Sequence, residues 1–377
     1  MCLTSGWSSI SECEECLCCA PWAVWPRVAT VARLPSGPTQ ILMSRRRPRV
    51  GAIFALCLAT GLAGPASSVA AQTAWVVPRT PDGHPDLQGN WSNETLTPFE
   101  RPRDQGRILA PEEVTRIEQG QAGGTDPVCF YGPGTCSDRV TLIEAVDYYV
   151  ATVNGEPRSS LITNPLDGRV PLLTPEARQR AEDPRAPWNR FGQYDHPELA
   201  PLSERCLMSF GSSAGPPMLP NRRQYNNNYT IVQTADHVMI MAEMVHDARI
   251  IRIGDGPRLP PHVRPWMGDS WGHWEGDVLV VETTNLHPLQ RFRGNASDNL
   301  TVTERFSRVD EETILYEFMV DDPTTYAEPW GGEVPMKTLH DRLYEYACHE
   351  GNHNLVGILR GARYQERREA QNPDEPR

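Results

Sequence analysis

The residues that most resemble an acid–base pair lie near the carboxyl end of the chain. His349 and Glu350 directly follow the last predicted strand, at 343–348, where the imidazole could act as acid or base and the carboxylate could orient it. His349 and His353 also match the letters of the zinc motif His-Glu-x-x-His. Gly351 and Asn352 are poor residues for a helix interior, which argues against that motif. We keep two hypotheses here, a catalytic His349–Glu350 pair and a metal site on His349 and His353.

A second polar group interrupts an apolar strand predicted around position 247. Asp247 and Arg249 would share one face of this strand and could pair, while His246 would lie on the other face. A charge pair that lines a cavity would orient a ligand. The simpler alternative is a structural ion pair on a wet face of the sheet.

Three tryptophans surround Asp269 in one short stretch of the sequence: Trp266, Trp271 and Trp274. Aromatic faces beside a carboxylate suit a sugar or a planar ligand. Core packing and pairing across a hairpin explain the same residues equally well.

Glu317 is the last candidate of this kind. It shares a strand face with Leu315 and Met319, and such a face is only partly dry or lines a cavity. The candidate ligand-binding residues are therefore His246, Asp247, Arg249, Asp269, Trp271 and Glu317.

Short runs rich in β-branched residues must position these side chains. From Tyr225 to Asn285 each apolar run is closed by Asp, Gly or Asn, which is typical of successive strands in an antiparallel meander. The sequence predicts a mostly β fold that forms a barrel or an open sandwich. The single domain would cover residues 72–365, with a loop-rich insertion carrying short helices at 92–224 and the core meander at 225–348. Residues 366–377 would form a flexible tail.

The beginning of the chain indicates export. Residues 43–71 combine a basic segment, a short apolar run and small residues, as in a secretory signal peptide. Residues 1–42 precede this signal, which should stand at the start of a chain, so we interpret them as an over-extended gene start. The apolar run is too short to cross a membrane, so we expect no membrane span in the mature chain and a periplasmic or secreted location.

Four cysteines follow the predicted cleavage site. An even number in an exported chain favours disulfides, and two are predicted, Cys129–Cys136 and Cys206–Cys348.

The net charge and the absence of three common motifs argue against several classes of function. The formal net charge of −12 argues against nucleic acid as a partner. The sequence has no nucleophile elbow, phosphate loop or dinucleotide fingerprint, and the cofactor is unknown.

Several motifs carry a resemblance to known proteins. Gly89-x-Trp91 on a predicted first strand resembles the lipocalin-like barrels of the calycin group. A larger set is similar to a group of uncharacterised secreted bacterial proteins, over most of residues 75–363. Its members are Gly215-Pro-Pro-Met, Tyr225-Asn-Asn-Asn-Tyr, Trp266-Met-Gly-Asp-Ser-x-Gly-x-Trp-Glu-Gly-Asp, Tyr316-Glu-Phe-x-Val-Asp-Asp-Pro-Thr and Tyr344-Glu-Tyr-x-Cys-His-Glu-Gly-Asn. The resemblance implies export and a β-rich fold but no activity.

Together these features predict an exported protein that binds a small organic ligand in a β-barrel cavity. If it is an enzyme, hydrolase or lyase chemistry with His349 as acid or base is expected. Two alternatives stay open at this point. One is a metal-dependent hydrolase that uses His349 and His353, and the other is a structural envelope protein without a small-molecule site.

Overall fold

The computed structural model describes residues 75–122, 128–129, 136–137, 149–183, 186–192, 194–208, 215–220, 227–287, 289–290 and 298–371. These residues belong to a compact unit that spans residues 71–377. The predicted signal peptide and the segment before it lie outside the described residues. Among the helices that are described, none is both long enough and apolar enough to cross a membrane.

The described strands and helices are numbered in chain order. The strands are β1 (Gly89–Ser92), β2 (Val128–Cys129), β3 (Cys136–Ser137), β4 (Thr152–Val153), β5 (Glu156–Pro157), β6 (Ile162–Asn164), β7 (Asn228–Gln233), β8 (His237–Ala242), β9 (Ala248–Ile253), β10 (Asp269–Glu275), β11 (Val278–Thr284), β12 (Thr301–Arg308), β13 (Thr313–Asp321) and β14 (Trp330–Thr338). The α-helices are α1 (Pro111–Ala122), α2 (Pro175–Glu182), α3 (Pro187–Arg190), α4 (Cys348–Gly351) and α5 (Asn354–Gln371). Short 3-10 helices cover Pro197–Leu199 and Met244–His246.

Nine of these strands close into a barrel, which confirms the predicted mostly β fold. The ring runs from β1 through β7 to β14 in sequence order, and β14 then pairs with β1. Trp91 lies opposite Thr338 at this seam. Closure satisfies the backbone groups of both terminal strands of the ring.

One pair in the ring is parallel, which the predicted antiparallel meander did not include. Trp271 and Gly272 of β10 lie beside Arg252 and Ile253 of β9 in the same direction. Antiparallel neighbours alternate in direction, and an odd number of strands cannot alternate all the way around a ring. Parallel strands need a long crossover, here residues 254–268 between β9 and β10.

The segment around position 245 is a turn between two strands. β8 and β9 pair antiparallel on either side of it. Val245 and His246 have φ angles of 63° and 46°, in the left-handed region that β-branched residues rarely adopt. The prediction of one apolar strand interrupted by His246 and Asp247 was therefore wrong, and these two residues do not continue the strand alternation.

The barrel interior is a packed core. Alternate residues of the strands point inwards, as the period of two requires. The largest fully buried side chains include Trp91, Tyr229, Phe306, Tyr316 and Trp330. Each buried large apolar side chain stabilises the fold by about 1.5–3 kcal/mol relative to exposure.

The predicted insertion contributes a tenth strand to the sheet. β6 pairs with the first half of β14, at Gly331 and Gly332. Beside it, the buried Arg158 side chain donates hydrogen bonds to Glu156 and Glu333, each at 2.5 Å. This segment of the insertion is therefore fixed to the outside of the barrel.

The cysteine predictions have different outcomes. Cys206 and Cys348 form a disulfide, with Cα atoms 5.7 Å apart, as predicted. Cys129 and Cys136 lie opposite each other in the β2–β3 pair. Their side chains lie outside the described part of the chain, so the second bridge stays a prediction.

The carboxyl end differs from its prediction. Residues 343–347 form no strand, and α4 begins at Cys348. Helix α5 continues to Gln371, so residues 366–371 are helical where a flexible tail was predicted. The sequence 372–377 lies outside the described residues.

Candidate functional site

The most polar feature of the barrel interior is an ion pair between β9 and β12. Arg249 donates from Nη1 to Oε2 of Glu304 at 2.6 Å and from Nη2 to Oε1 at 3.0 Å. The side chains of Arg249 and Glu304 are 2% and 0% exposed. The guanidinium fork and the carboxylate thus match in the bidentate geometry that gives the strongest ion pairs.

Tyr316 of β13 connects this ion pair by hydrogen bonds to the segment at 215–220. Its hydroxyl donates to Oε1 of Glu304 at 2.9 Å and accepts from the backbone N–H of Met218 at 2.8 Å. Burial, and then the negative charge of Glu304, raise the pKa of Tyr316 well above its ordinary value. Tyr316 therefore remains protonated and able to donate.

Asn93 completes the arrangement just beyond the end of β1. Its Nδ2 donates to the Met218 carbonyl at 3.1 Å and to the Tyr229 hydroxyl at 3.3 Å. Tyr229 is in electrostatic contact with Arg249. The connections therefore close into a circuit, which we call the interior polar network: Asn93, Tyr229, Arg249, Glu304, Tyr316 and the backbone of Met218.

The charge state of Arg249 is set by two opposing effects. Burial alone would lower the pKa of Arg249, but the charge and hydrogen bonds of Glu304 outweigh it and leave the pKa raised. Burial also raises the pKa of Tyr229. The network therefore holds one cation, one anion and two protonated phenols.

Two atoms of the network have no hydrogen-bond partner in the part of the chain that the structure describes. They are Nε of Arg249, a donor, and Oδ1 of Asn93, an acceptor. Both residues are almost fully buried. Buried polar atoms are nearly always satisfied in folded proteins, so each unpaired atom calls for an explanation.

Aromatic rings adjoin the network on one side. Trp330 makes edge contacts with Phe99, Phe318 and Tyr326, with ring centroids 5.7–5.9 Å apart. Phe318 also stacks on Tyr316 at 5.9 Å. We call Phe99, Phe318, Tyr326 and Trp330 the aromatic wall. It places large apolar faces next to the polar groups, the combination that small-molecule sites use.

A third unpaired atom lies close to the Met218 segment. The Oε1 atom of Gln290 is buried without a partner in the described chain. Its Nε2 would lie 2.1 Å from a Cβ placed on Gly215, so any larger residue there would push the Gln290 side chain away. Gln290 therefore packs directly against the segment that carries Met218.

A separate buried carboxyl follows Asn93 in the chain. Glu94 is 8% exposed, and its Oε1 has no partner among the described residues. Burial raises the pKa of Glu94 to about 7. Tyr149 lies near enough that the Glu94 charge adds to the effect of burial in raising the pKa of Tyr149.

The predicted pair of Asp247 and Arg249 does not form. Both terminal nitrogens of Arg249 bind Glu304. Asp247 lies in the turn before β9, where the left-handed residues Val245 and His246 have ended the alternation. His246 itself is exposed.

Asp269 and Trp271 form an outer cluster with Arg252. Asp269 accepts from the Leu259 backbone N–H at 2.7 Å and from Arg252. The guanidinium of Arg252 lies 4.2 Å from the centre of the Trp271 ring, and burial lowers its pKa. This cluster joins the parallel strands β9 and β10 to their crossover, which gives Asp269 a structural role.

The three tryptophans contact different partners. Trp266 lies against His287, with ring centroids 3.9 Å apart, and Trp274 stacks on His84 at 4.7 Å. Of the three, Trp271 is the ring that shares a partner with Asp269, since Arg252 contacts both. A ligand site at these rings stays a prediction.

Glu317 lies on the outer face of the barrel. It is opposite Arg305 of β12 and Glu333 of β14. Burial, and then the charge of Glu333, raise the pKa of Glu317. Of the two alternatives for this face, the partly dry one agrees with the structure, because Leu315, Glu317 and Met319 are all half-buried. The face does not line the interior, which is formed by the other face of β13 with Tyr316 and Phe318.

His349 and Glu350 are exposed on helix α4 and lie away from the interior polar network. Asn352 ends this helix and donates to the Glu204 carbonyl at 2.8 Å. His353 follows the helix, so His349 and His353 do not share one helical face. Within the described ranges, no group of three or more His, Cys, Asp or Glu residues is placed to hold a metal ion.

Sequence reasoning missed Asn93, Tyr229, Glu304 and Tyr316 as members of a site. A signal for Glu304 was present, since Glu304 alternates with Val302 and Phe306 on the buried face of β12. A charged residue on the apolar face of a strand indicates a buried partner.

Comparison with known proteins gives no match. No family model fits the chain, and neither a curated protein nor a solved structure matches it.

Proposed function

We propose that this protein is exported and binds a small organic ligand at the interior polar network. One observation carries the proposal. The network lies inside a barrel, yet its Arg249 Nε and Asn93 Oδ1 have no partner in the described chain. A ligand that pairs with these atoms would remove the cost of leaving them unsatisfied, about 1–3 kcal/mol for each group.

The Cys206–Cys348 disulfide supports the exported location. Disulfides persist in oxidising compartments and are rare in a reducing cytosol. The segment at 43–71 has the composition of a signal peptide. Both features favour a periplasmic or secreted protein.

The charge states favour binding over hydrolase or lyase chemistry. Arg249 is held as a cation, while Tyr316 and Tyr229 are held as phenols. A general acid or base needs a pKa near the working pH, and none of these groups has one. The network is suited to recognise a fixed polar group.

The test is a ligand screen on the mature chain with its disulfide intact. A library of small organic molecules is screened by thermal shift, and hits are titrated by calorimetry. The double variant Arg249→Met/Glu304→Met replaces the interior pair by apolar groups of similar size, which proteins often tolerate. We expect it to fold and to bind the hits at least tenfold more weakly.

The matched control is Arg258→Met/Glu282→Met, which removes an exposed arginine–glutamate pair. It should bind the hits as the unaltered protein does. An absence of hits, or equal binding by both double variants, would overturn the proposal.

A further inference from the structure

We infer that residues 215–220, which we call the plug, close off the side chains of the interior polar network in this structure and must withdraw before a ligand binds there. The inference rests on the proposed binding function and names how access to that same site is controlled. It is supported by where the plug lies, by what holds it and by the groups that its withdrawal would free.

The plug enters the barrel from one end. Asn93 follows β1 and Gln290 follows β11, and these two strands run in the same direction around the ring, so both residues lie at the same rim. Asn93 donates to the Met218 carbonyl, and the Gln290 side chain lies against Gly215. The N–H of Met218 reaches further inwards, to the hydroxyl of Tyr316 in β13. The plug therefore passes from the rim into the interior.

The plug fills the space beside the network at this rim. Residues 215–219 are all buried, and the Met218 side chain is 0% exposed and belongs to the hydrophobic core. A loop, and not a strand of the barrel, thus packs against Tyr316 and Asn93. A ligand that reaches the network from this rim has to take the place of the loop.

Few hydrogen bonds hold the plug. Three of its six residues are prolines, which have no backbone N–H to donate. Within the described chain its backbone makes no hydrogen bond to another backbone group, and both bonds of Met218 go to the side chains of Tyr316 and Asn93. The strands of the barrel are instead joined to their neighbours by ladders of backbone hydrogen bonds. Withdrawal of the plug therefore breaks no ladder of the barrel.

Withdrawal would free groups that can bind a ligand. The hydroxyl of Tyr316 would lose its donor, and Nδ2 of Asn93 would lose one of its two acceptors. Oδ1 of Asn93 has no partner among the described residues even when the plug is in place. A ligand that pairs with these groups stabilises the open state, because it binds that state and not the closed one. The plug and the ligand exclude each other, since both use the carboxamide of Asn93.

Two methionines of equal burial test the inference without any ligand. Met218 lies in the plug and Met336 lies in β14, and both are 0% exposed. A glutamate is strongly disfavoured at either position, but the plug can carry it into water, whereas a strand of the barrel cannot. We expect Met218→Glu to fold, with the circular dichroism of the unaltered protein, and Met336→Glu to remain unfolded. If Met218→Glu folds and its residue 218 amide is still protected from exchange, the inference is overturned.

Hydrogen exchange of the unaltered mature chain measures the withdrawal directly, and it decides the question if Met218→Glu does not fold. The amide of Met218 should exchange at least tenfold faster than the amides of β12. Its rate should change little in low urea, because a local opening exposes little surface. A Met218 rate equal to the β12 rates, with the same rise in urea, would mean that the plug opens only when the barrel unfolds, and would overturn the inference.

A hit from the ligand screen separates the inference from the proposed function. A hit that needs the network should accelerate exchange of the Met218 amide. It should also bind Met218→Glu at least tenfold more tightly than the unaltered protein, because the variant removes the competing plug. A hit that protects this amide, or binds both proteins equally, would overturn the inference and leave the binding function standing. Rapid exchange with no network-dependent hit on either protein would overturn the proposed function, and the closing role of the plug with it.

Discussion

Two arginine–glutamate pairs in this protein have the same shortest distance, 2.6 Å, and opposite surroundings. The side chains of Arg249 and Glu304 are 2% and 0% exposed, whereas those of Arg258 and Glu282 are 41% and 51% exposed. Water screens the outer pair, and the entropy of its long side chains opposes it, so such pairs contribute little. In the inner pair each charge depends on the other, because neither has access to water. The two pairs therefore differ in their contribution to stability because of their burial, since their shortest distances are equal.

Removing one inner charge should have the largest effect. Arg249→Met leaves Glu304 buried without its counter-charge, and we expect the free energy of unfolding to fall by about 3–5 kcal/mol. Urea denaturation measures this change. Arg258→Met should lower the free energy by no more than about 1 kcal/mol in the same experiment. Equal losses for the two variants would show that burial does not distinguish the pairs.

Glu94 extends the comparison to a buried carboxyl whose Oε1 has no hydrogen-bond partner among the described residues. Its pKa is about 7 in the folded state and 4.5 ordinarily, so the folded protein holds this proton more tightly than the unfolded chain. The contribution of Glu94 to stability is therefore complete below pH 4.5 and is lost as the pH rises to about 7. At about 1.4 kcal/mol per pH unit the loss is on the order of 3 kcal/mol.

Glu94→Gln tests this dependence because it removes the titration and keeps the shape of the side chain. Unfolding free energies measured between pH 4.5 and 7.5 should fall less steeply for this variant than for the unaltered protein. Glu176→Gln alters an exposed carboxyl on α2 and should leave the slope unchanged. A slope that survives Glu94→Gln would mean that another group titrates.

Tyr316→Phe probes a neutral member of the inner group. The variant removes the donor to Glu304 and the acceptor for the Met218 N–H, both buried. We expect a loss of about 1–3 kcal/mol in the free energy of unfolding, the cost of leaving buried partners unsatisfied. Tyr344→Phe changes a tyrosine that is 78% exposed and serves as the control. Thermal unfolding of both variants measures the loss of stability. Only Tyr316→Phe, which removes a buried hydroxyl, should lower the unfolding temperature.

His349→Ala should have the smallest effect. The side chain is exposed on α4, so we expect a change within about 0.5 kcal/mol and unaltered ligand binding. Denaturation and titration with any hit from the screen measure both. A loss of binding or of turnover in this variant would place the site at His349, as one hypothesis from the sequence has it.

The sequence predicted the fold better than the site because alternation along a strand is a local property. It assigned Leu315, Glu317 and Met319 to one face of the strand that is β13, and these residues do alternate with the fully buried ones. It could not tell which face of that strand is inside, so Glu317 was placed among the candidate ligand-binding residues. That choice depends on how the whole sheet curves.

The partner of Arg249 could not be predicted from the sequence for a related reason. Asp247 is a neighbour in sequence, whereas Glu304 comes from a strand that meets Arg249 only across the closed barrel. The turn at Val245 was not predicted either. Val245 has a positive φ, which β-branched residues rarely adopt. Tertiary closure overrides the local preference there.

The pairing at the seam of the ring limits which segments can be deleted from this protein. One edge of β14 is shared between two strands, β1 at Lys337 and Thr338 and β6 at Gly331 and Gly332. β6 comes from the region that the sequence marks as an insertion. A shortened chain without that region would expose backbone donors and acceptors along half of β14, and free strand edges recruit other chains. Such a miniature would therefore self-associate along this edge of β14.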